Sequence, residues 1–215
     1  MSIVAIAGGH GQIARLLGEL LVADGHEARG IIRNPDHAAD LQAIGMTPVL
    51  SDLEQDDPAL AEALRGANAA VFAAGAGPGS GEARKATMDR DGAIRLIEAC
   101  KQAGVSRYVM VSAMGARPGA PRGEGAFGAY LEAKAAADEA LSASGLAYTI
   151  VRPGGLTDEA AHELVSIAPE LPRGSIPRAD VARVLLGVLS EPATLGKAFD
   201  LVSGPTPIAQ ALAAL

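Results

Sequence analysis

The 215-residue sequence predicts an α/β protein: one domain built on a doubly wound parallel sheet, with a small C-terminal cap, and three observations carry that expectation. Short apolar runs alternate with segments whose apolar residues recur at helical spacing, the pattern of right-handed βαβ units. The runs are continuous rather than alternating, as strands covered on both faces require. Hydrophobic residues make up 49% of the chain and charged ones 20%, enough apolar material to bury a sizeable core.

Residues 3–7 form the first such run, Ile-Val-Ala-Ile-Ala, and glycines end it at once. From Gly11 onward, Ile13, Leu16, Leu17, Leu20 and Leu21 make a helical stripe that Asp24-Gly25 stops. Further strands are expected at 28–32, 47–50, 69–74, 108–112 and 147–152, separated by helices at 35–44, 58–64, 82–103 and 127–142. After Pro153 the punctuation thickens to Gly154-Gly155, Pro169, Pro172 and Pro177, followed by a helix at 179–189, a strand at 198–202 and a terminal helix. The core therefore spans about 1–152, and 153–215 is expected to cap the carboxyl edge of the sheet and complete a ligand cleft.

Composition narrows the function. With 18 Lys and Arg against 25 Asp and Glu, the net charge is −7 and no basic run is present, which argues against nucleic acid. No secretory signal and no apolar stretch of membrane-spanning length is visible. A single cysteine, Cys100, and four scattered histidines offer no disulfide and no metal-ligand spacing. These features point to a cytoplasmic protein, a monomer or small homo-oligomer, whose partner is a small molecule.

Gly8-Gly9-His10-Gly11-Gln12-Ile13-Ala14 joins the first strand to the first helix as Gly-x-x-Gly-x-x-Ala. A phosphate must approach the backbone there, so side chains are dispensed with, and the helix start supplies unpaired amides and a favourable dipole. That context makes it a dinucleotide loop rather than an ordinary turn. Cofactor choice is made where the second strand ends, which reads Ile31-Ile32-Arg33-Asn34. Arg33, unless it is only a solvated surface residue, favours NADP(H) over NAD(H) by accepting the extra 2′-phosphate. Asp52, in Ser51-Asp52-Leu53 after the third strand, is placed to accept from an adenine amino group or to cap a turn, while Ala73-Ala74-Gly75 leave room for a ribose.

Tyr130 and Lys134 stand four apart on one helix face, which Phe127, Ala137 and Leu141 share, so that face is expected to point inward and Lys134 to need a partner. A cation beside the phenol would lower its pKa and suit it to give a proton to a carbonyl oxygen. The alternative is a chance Tyr-x-x-x-Lys whose lysine reaches solvent. Two glycine-rich loops, 75–81 and 115–128, have the composition of mobile lids or of plain surface. Cys100 reads as a small buried hydrophobe.

Taken in order, the Gly8/Gly11/Ala14 loop, Arg33-Asn34-Pro35, Ala74-Gly75, Val111-Ser112, Tyr130-x-x-x-Lys134, Val151-Arg152-Pro153-Gly154 and Asp180-Val181-Ala182 resemble the atypical short-chain dehydrogenases/reductases. The resemblance spans essentially the whole chain and is nearest the small NmrA-like and biliverdin reductase B-like NAD(P)H-binding group, with a Rossmann-type sheet. It implies that Gly8, Gly11, Gln12 and Ile13, with His10 in the same loop, bracket the pyrophosphate. Arg33 and Asn34 would take the 2′-phosphate end, Asp52 and Leu53 the adenine, and Ala73, Ala74 and Gly75 the ribose. Pro153, Gly154, Gly155 and Leu156 would wall the nicotinamide, and Lys134 would bond its ribose. Tyr130, Lys134 and Ser112 match the catalytic positions, but Ala113 stands where many relatives carry a second hydroxyl. An incomplete triad tilts the expectation from carbonyls toward quinone or flavin acceptors. The activity expected is NADPH-dependent hydride transfer to a small organic acceptor, with a non-catalytic NADP(H) sensor and a sugar-nucleotide epimerase or dehydratase as alternatives.

Overall fold

The computed structural model describes residues 1–77 and 79–215. Five βα steps build the amino-terminal part. They run β1 (Ile3–Ala7), α1 (Gln12–Ala23), β2 (Glu27–Ile32), a short 3-10 turn at Pro35–His37 with α2 (Ala38–Ala43), β3 (Thr47–Leu50), α3 (Ala59–Leu64) and β4 (Ala69–Phe72). Next come α4 (Glu82–Arg84), a π-helical stretch at Lys85–Gly92 and α5 (Ala93–Ala103), which together occupy the single helix expected there. Then follow β5 (Arg107–Val111), α6 (Gly125–Ser142) and β6 (Ala147–Pro153). Strand four is two residues shorter than expected, because Ala73 and Ala74 leave the ladder to border the cleft.

The remaining residues form β7 (Gly155–Thr157), β8 (Leu164–Ala168), β9 (Ser175–Pro177), α7 (Arg178–Ser190), β10 (Lys197–Ser203), β11 (Thr206–Pro207) and α8 (Ile208–Ala213). The main sheet has the order β11-β8-β10-β6-β5-β4-β1-β2-β3. Every pairing from β10 to β3 is parallel, and β8 adds antiparallel to β10. The tail thus does more than roof the edge: β10, β8 and β11 widen the sheet, and α7 packs beside α1. What borders the cleft is β7 of the separate β7–β9 ladder, with Leu171, Arg173, Gly174 and Arg178 beside it.

Strand periodicity divides the core. In β1, Val4 and Ile6 face a cluster with Leu17 and Leu21 of α1 and Val184 and Leu185 of α7. Ala5 and Ala7 face the other, with Leu60 and Leu64 of α3, Leu96 and Ile97 of α5, and Ala137 and Leu141 of α6. Both sheet faces are therefore sealed, each fully buried Leu or Ile contributing about 1.5–3 kcal/mol. Strand order reverses between β1 and β4, and the crevice at that switch point, outside the carboxyl ends of the strands, is where an open α/β sheet holds its ligand.

Candidate active site

The loop after β1 is shaped by close backbone approach. Gly8 has φ +77°, and a Cβ on it would lie 2.6 Å from the Ala74 Cα. Gly9, which the Gly-x-x-Gly-x-x-Ala spacing leaves unspecified, is as constrained: its Cβ would lie 2.6 Å from the Gly30 Cα, and its amide donates to the Ile31 carbonyl at 2.9 Å. The turn closes with the Gly11 amide donating to the Gly8 carbonyl at 2.8 Å. α1 then begins with no side-chain cap and no acidic residue in its first turn. A twelve-residue helix starting so bare fits an anion at its amino terminus, and a pyrophosphate suits that cradle.

Two adjoining cavities flank this loop. The smaller, of about 420 Å³, is lined by Gly8, His10, Gly11, Arg33, Asn34, Asp52 and Leu53. The larger, of about 1280 Å³, is lined by Ile13, Ser112, Tyr130, Lys134, Pro153, Gly154, Gly155 and Leu156. Ala73, Ala74 and Gly75 border both. Of the candidate cofactor-binding and catalytic residues only Gln12 lines neither; its amide side chain donates to Asp158 at 3.3 Å.

In the smaller cavity several side chains are already engaged. Arg33, half exposed, pairs with Glu54 at 3.0 Å, and Arg84 and the Thr87 hydroxyl reach the same carboxylate at 3.4 and 2.6 Å. Asn34 caps the Asp36 amide, and the Asp52 carboxylate accepts from the Glu54 amide at 2.9 Å, the turn-capping alternative. His10 pairs with Asp40 at 2.8 Å and stacks on His37 with ring centroids 3.6 Å apart.

In the larger cavity α6 places Lys134 against the strand ends. Its ammonium, almost wholly buried, donates to the carbonyls of Val111 at 3.1 Å and Ala74 at 3.3 Å and stands 3.4 Å from Asp89. The expected partner of the lysine is thus Asp89, a fully buried residue of the π-helical stretch whose other oxygen accepts from the Ala76 amide at 3.2 Å. The sequence carried a signal for it: Asp89 shares the apolar stripe of Ala93, Leu96 and Cys100, where a carboxylate has no reason to sit unless paired. π turns also mark functional sites, but single-residue periodicity does not reveal them.

Three expectations are corrected here. Lys134 does not lower the Tyr130 pKa: burial, then the charges of Asp89 and Asp138, push the phenol well above its ordinary value. The lysine is spent on Asp89 and two carbonyls. The Ser112 hydroxyl, expected to position the acceptor, donates instead to Asp138 at 2.9 Å, a carboxylate that the Arg152 guanidinium also reaches at 2.9 Å. Burial, opposed by Arg152, Ser112 and Lys134, holds the Asp138 carboxyl above its ordinary range. Finally, Phe127 is 61% exposed and so does not share the inward face with Ala137 and Leu141.

Both glycine-rich loops line the larger cavity. Pro78, in the first, lies outside the described residues. The second is tied down by Arg117 on Glu170 and Asp200 and by Arg122 on Glu132. Among the described residues no cluster of His, Cys, Asp or Glu has the arrangement to hold a metal, and no helix is long and apolar enough to cross a membrane.

The model of a family described as NAD(P)H-binding matches residues 8–192. A Bacillus subtilis (strain 168) protein named as an uncharacterized sugar epimerase, YhfK, is 42% identical over 210 residues, covering 97% of this chain and 98% of its own. A solved structure of a candidate NAD-dependent epimerase/dehydratase from Bacillus halodurans matches with TM-score 0.92 at 36% identity, covering 100% of both chains. ChuY of Escherichia coli O157:H7, an anaerobillin reductase, matches with TM-score 0.81 at 26% identity, over 94% of this chain and 97% of that one.

Proposed function

Because the chain belongs to the NAD(P)H-binding family, we propose that it is an NADPH-dependent reductase whose acceptor is a small conjugated molecule of the quinone or flavin kind. When bound, the dihydronicotinamide supplies a hydride and the acceptor takes it, with one proton completing the reduction. Gly8, Gly11 and the start of α1 would hold the pyrophosphate and Arg33 the 2′-phosphate, with Pro153–Leu156 as the wall beside the nicotinamide.

The observation that carries this reading is the state of the proton donors. Tyr130 keeps its proton too tightly to be a strong acid at neutral pH, and the Ser112 proton is committed to Asp138. A simple ketone or aldehyde needs its oxygen protonated as the hydride arrives. A quinone or flavin spreads the incoming charge over a conjugated system and takes its proton later, from Tyr130 or water. An anaerobillin reductase among the structural neighbours accords with this.

Two of the similar proteins carry epimerase names, and the same Tyr130 would have to serve as a base in that reaction. A phenol raised by burial and two carboxylates is poorly suited to lose its proton. The readings separate on one measurement: purified protein should consume NADPH stoichiometrically with quinones or flavins, and slowly or not at all with unconjugated aldehydes and ketones. No consumption with any acceptor would overturn the reductase reading in favour of an epimerase, which regenerates its cofactor, or a sensor.

A further inference from the structure

The larger cavity is positively lined in a chain of net charge −7. Five basic side chains face it, Lys85, Arg117, Lys134, Arg173 and Arg178, against one carboxylate, Asp89. Three of the five are answered: Lys134 by Asp89, Arg117 by Asp200 and Glu170, and Arg178 by Asp158 at 2.7 Å. Arg178 also sits near the start of α1, since Gln12 bonds the same Asp158. Lys85 and Arg173 have no carboxylate partner among the described residues. Among the described residues Lys85 donates only to the Gly77 carbonyl, at 3.0 Å, and its ammonium stands 5.3 Å from the centre of the Tyr130 ring.

Neither of these two cations borders the smaller cavity, where the glycine loop and Arg33 lie. Both line the larger one, whose walls also present Met114, Pro121, Phe127, Leu131 and Leu171. Phe127 and Leu156, which also line this cavity, are 61% and 38% exposed and leave apolar surface uncovered in it. Uncovered apolar side chains beside unanswered cations call for a ligand that is apolar with an anionic edge.

We propose that Lys85 and Arg173 form an anion-binding subsite for the acceptor, which is an apolar ring system bearing a carboxylate or equivalent ionised group. The inference rests on reading this cavity as the acceptor site. Unpaired cations lining a partly apolar cavity favour an anion, and they disfavour a neutral or cationic analogue of the same shape. The anionic group would lie beside Tyr130, fixing which edge of the ring system meets the nicotinamide wall at Pro153–Leu156.

The test uses 2-naphthoate and its neutral isostere 2-naphthamide, titrated calorimetrically into the full chain at low salt, with and without saturating NADP⁺. The acid should bind on the order of tenfold more tightly than the amide, as one charge-assisted contact provides, and the ratio should shrink as salt is raised. Lys85→Met combined with Arg173→Gln should bring the ratio below twofold while leaving NADP⁺ affinity unchanged. Equal binding of acid and amide, no binding of the acid, or an undiminished ratio in the double variant would overturn the subsite. A fall in NADP⁺ affinity in that variant would overturn it as well, by assigning the cations to the cofactor. The NADP⁺ titration of the unmutated protein judges the cofactor reading on its own.

Discussion

Tyr130 shows how a residue's chemistry is set by what surrounds it. Its sequence neighbour at i+4 is a lysine, yet the phenol is raised because it sits in apolar surroundings with two carboxylates in range. With a carbonyl acceptor Tyr130→Phe should cost the roughly 10²-fold to 10⁴-fold of a lost general acid. With a quinone or flavin the loss in kcat should stay within a few-fold, and that smaller figure is the expected one. Asp89 supplies a second residue-level prediction. Asp89→Asn keeps the shape of the side chain but removes the countercharge from the buried Lys134, at a cost of about 3 kcal/mol, the lower end for a broken buried pair because two carbonyls still hold the ammonium. An unchanged urea midpoint would show that the pair contributes nothing.

At the scale of elements, Glu54 ties together segments distant in sequence. It follows β3, accepts from Arg33 beyond β2, and is reached by Arg84 at the end of α4 and by Thr87 in the π-helical stretch. Arg33 therefore does not wait free for a 2′-phosphate but carries a carboxylate already, which offsets part of its attraction for that group. The NADPH preference we propose should be about tenfold, one charge-assisted contact in partial competition with Glu54. Arg33→Ala should abolish it by weakening NADPH alone, and Glu54→Gln should enlarge it. Dissociation constants for NADPH and NADH at fixed salt read both effects, and equal constants in the unmutated protein would remove Arg33 from cofactor selection.

For the whole molecule the burial of ionisable groups sets the alkaline limit. The Cys100 thiol, sealed under α5, is pushed up to about 12 by burial, and Tyr108 is raised by burial and then by Cys100. Groups whose native pKa exceeds the unfolded value stabilise the fold fully below the unfolded pKa and lose that contribution as pH climbs toward the native one. Stability should hold to about pH 9, then fall by ~1.4 kcal/mol per pH unit from Cys100 alone, with Tyr108 and Tyr130 adding above about pH 10. Cys100 should also resist alkylation at pH 9 until denaturant is added. Rapid labelling of the native protein there would contradict the burial.

Local patterning determined the architecture on its own. The β1 and β3 boundaries, Ile3–Ala7 and Thr47–Leu50, agree with the sequence reading to the residue, as does the alternation of strands and helices that dictates a doubly wound sheet. The glycine loop, the carboxyl-edge placement of Ser112 and Pro153, and the family resemblance were likewise legible, because each depends on neighbours within one βα step. The tertiary structure alone decided the rest. Residues 164–168, Leu-Val-Ser-Ile-Ala before Pro169, are an apolar run to which the sequence reading assigns no element, and they become β8 because β10 leaves an open edge to pair with. Asp89 and Lys134 are 45 positions apart and meet only across the packed helices. The Ser112 proton goes to Asp138, 26 positions away. Spacing along a chain records which face a side chain takes, whereas a pKa or an ion pair depends on groups brought together by the fold, and that information is not local.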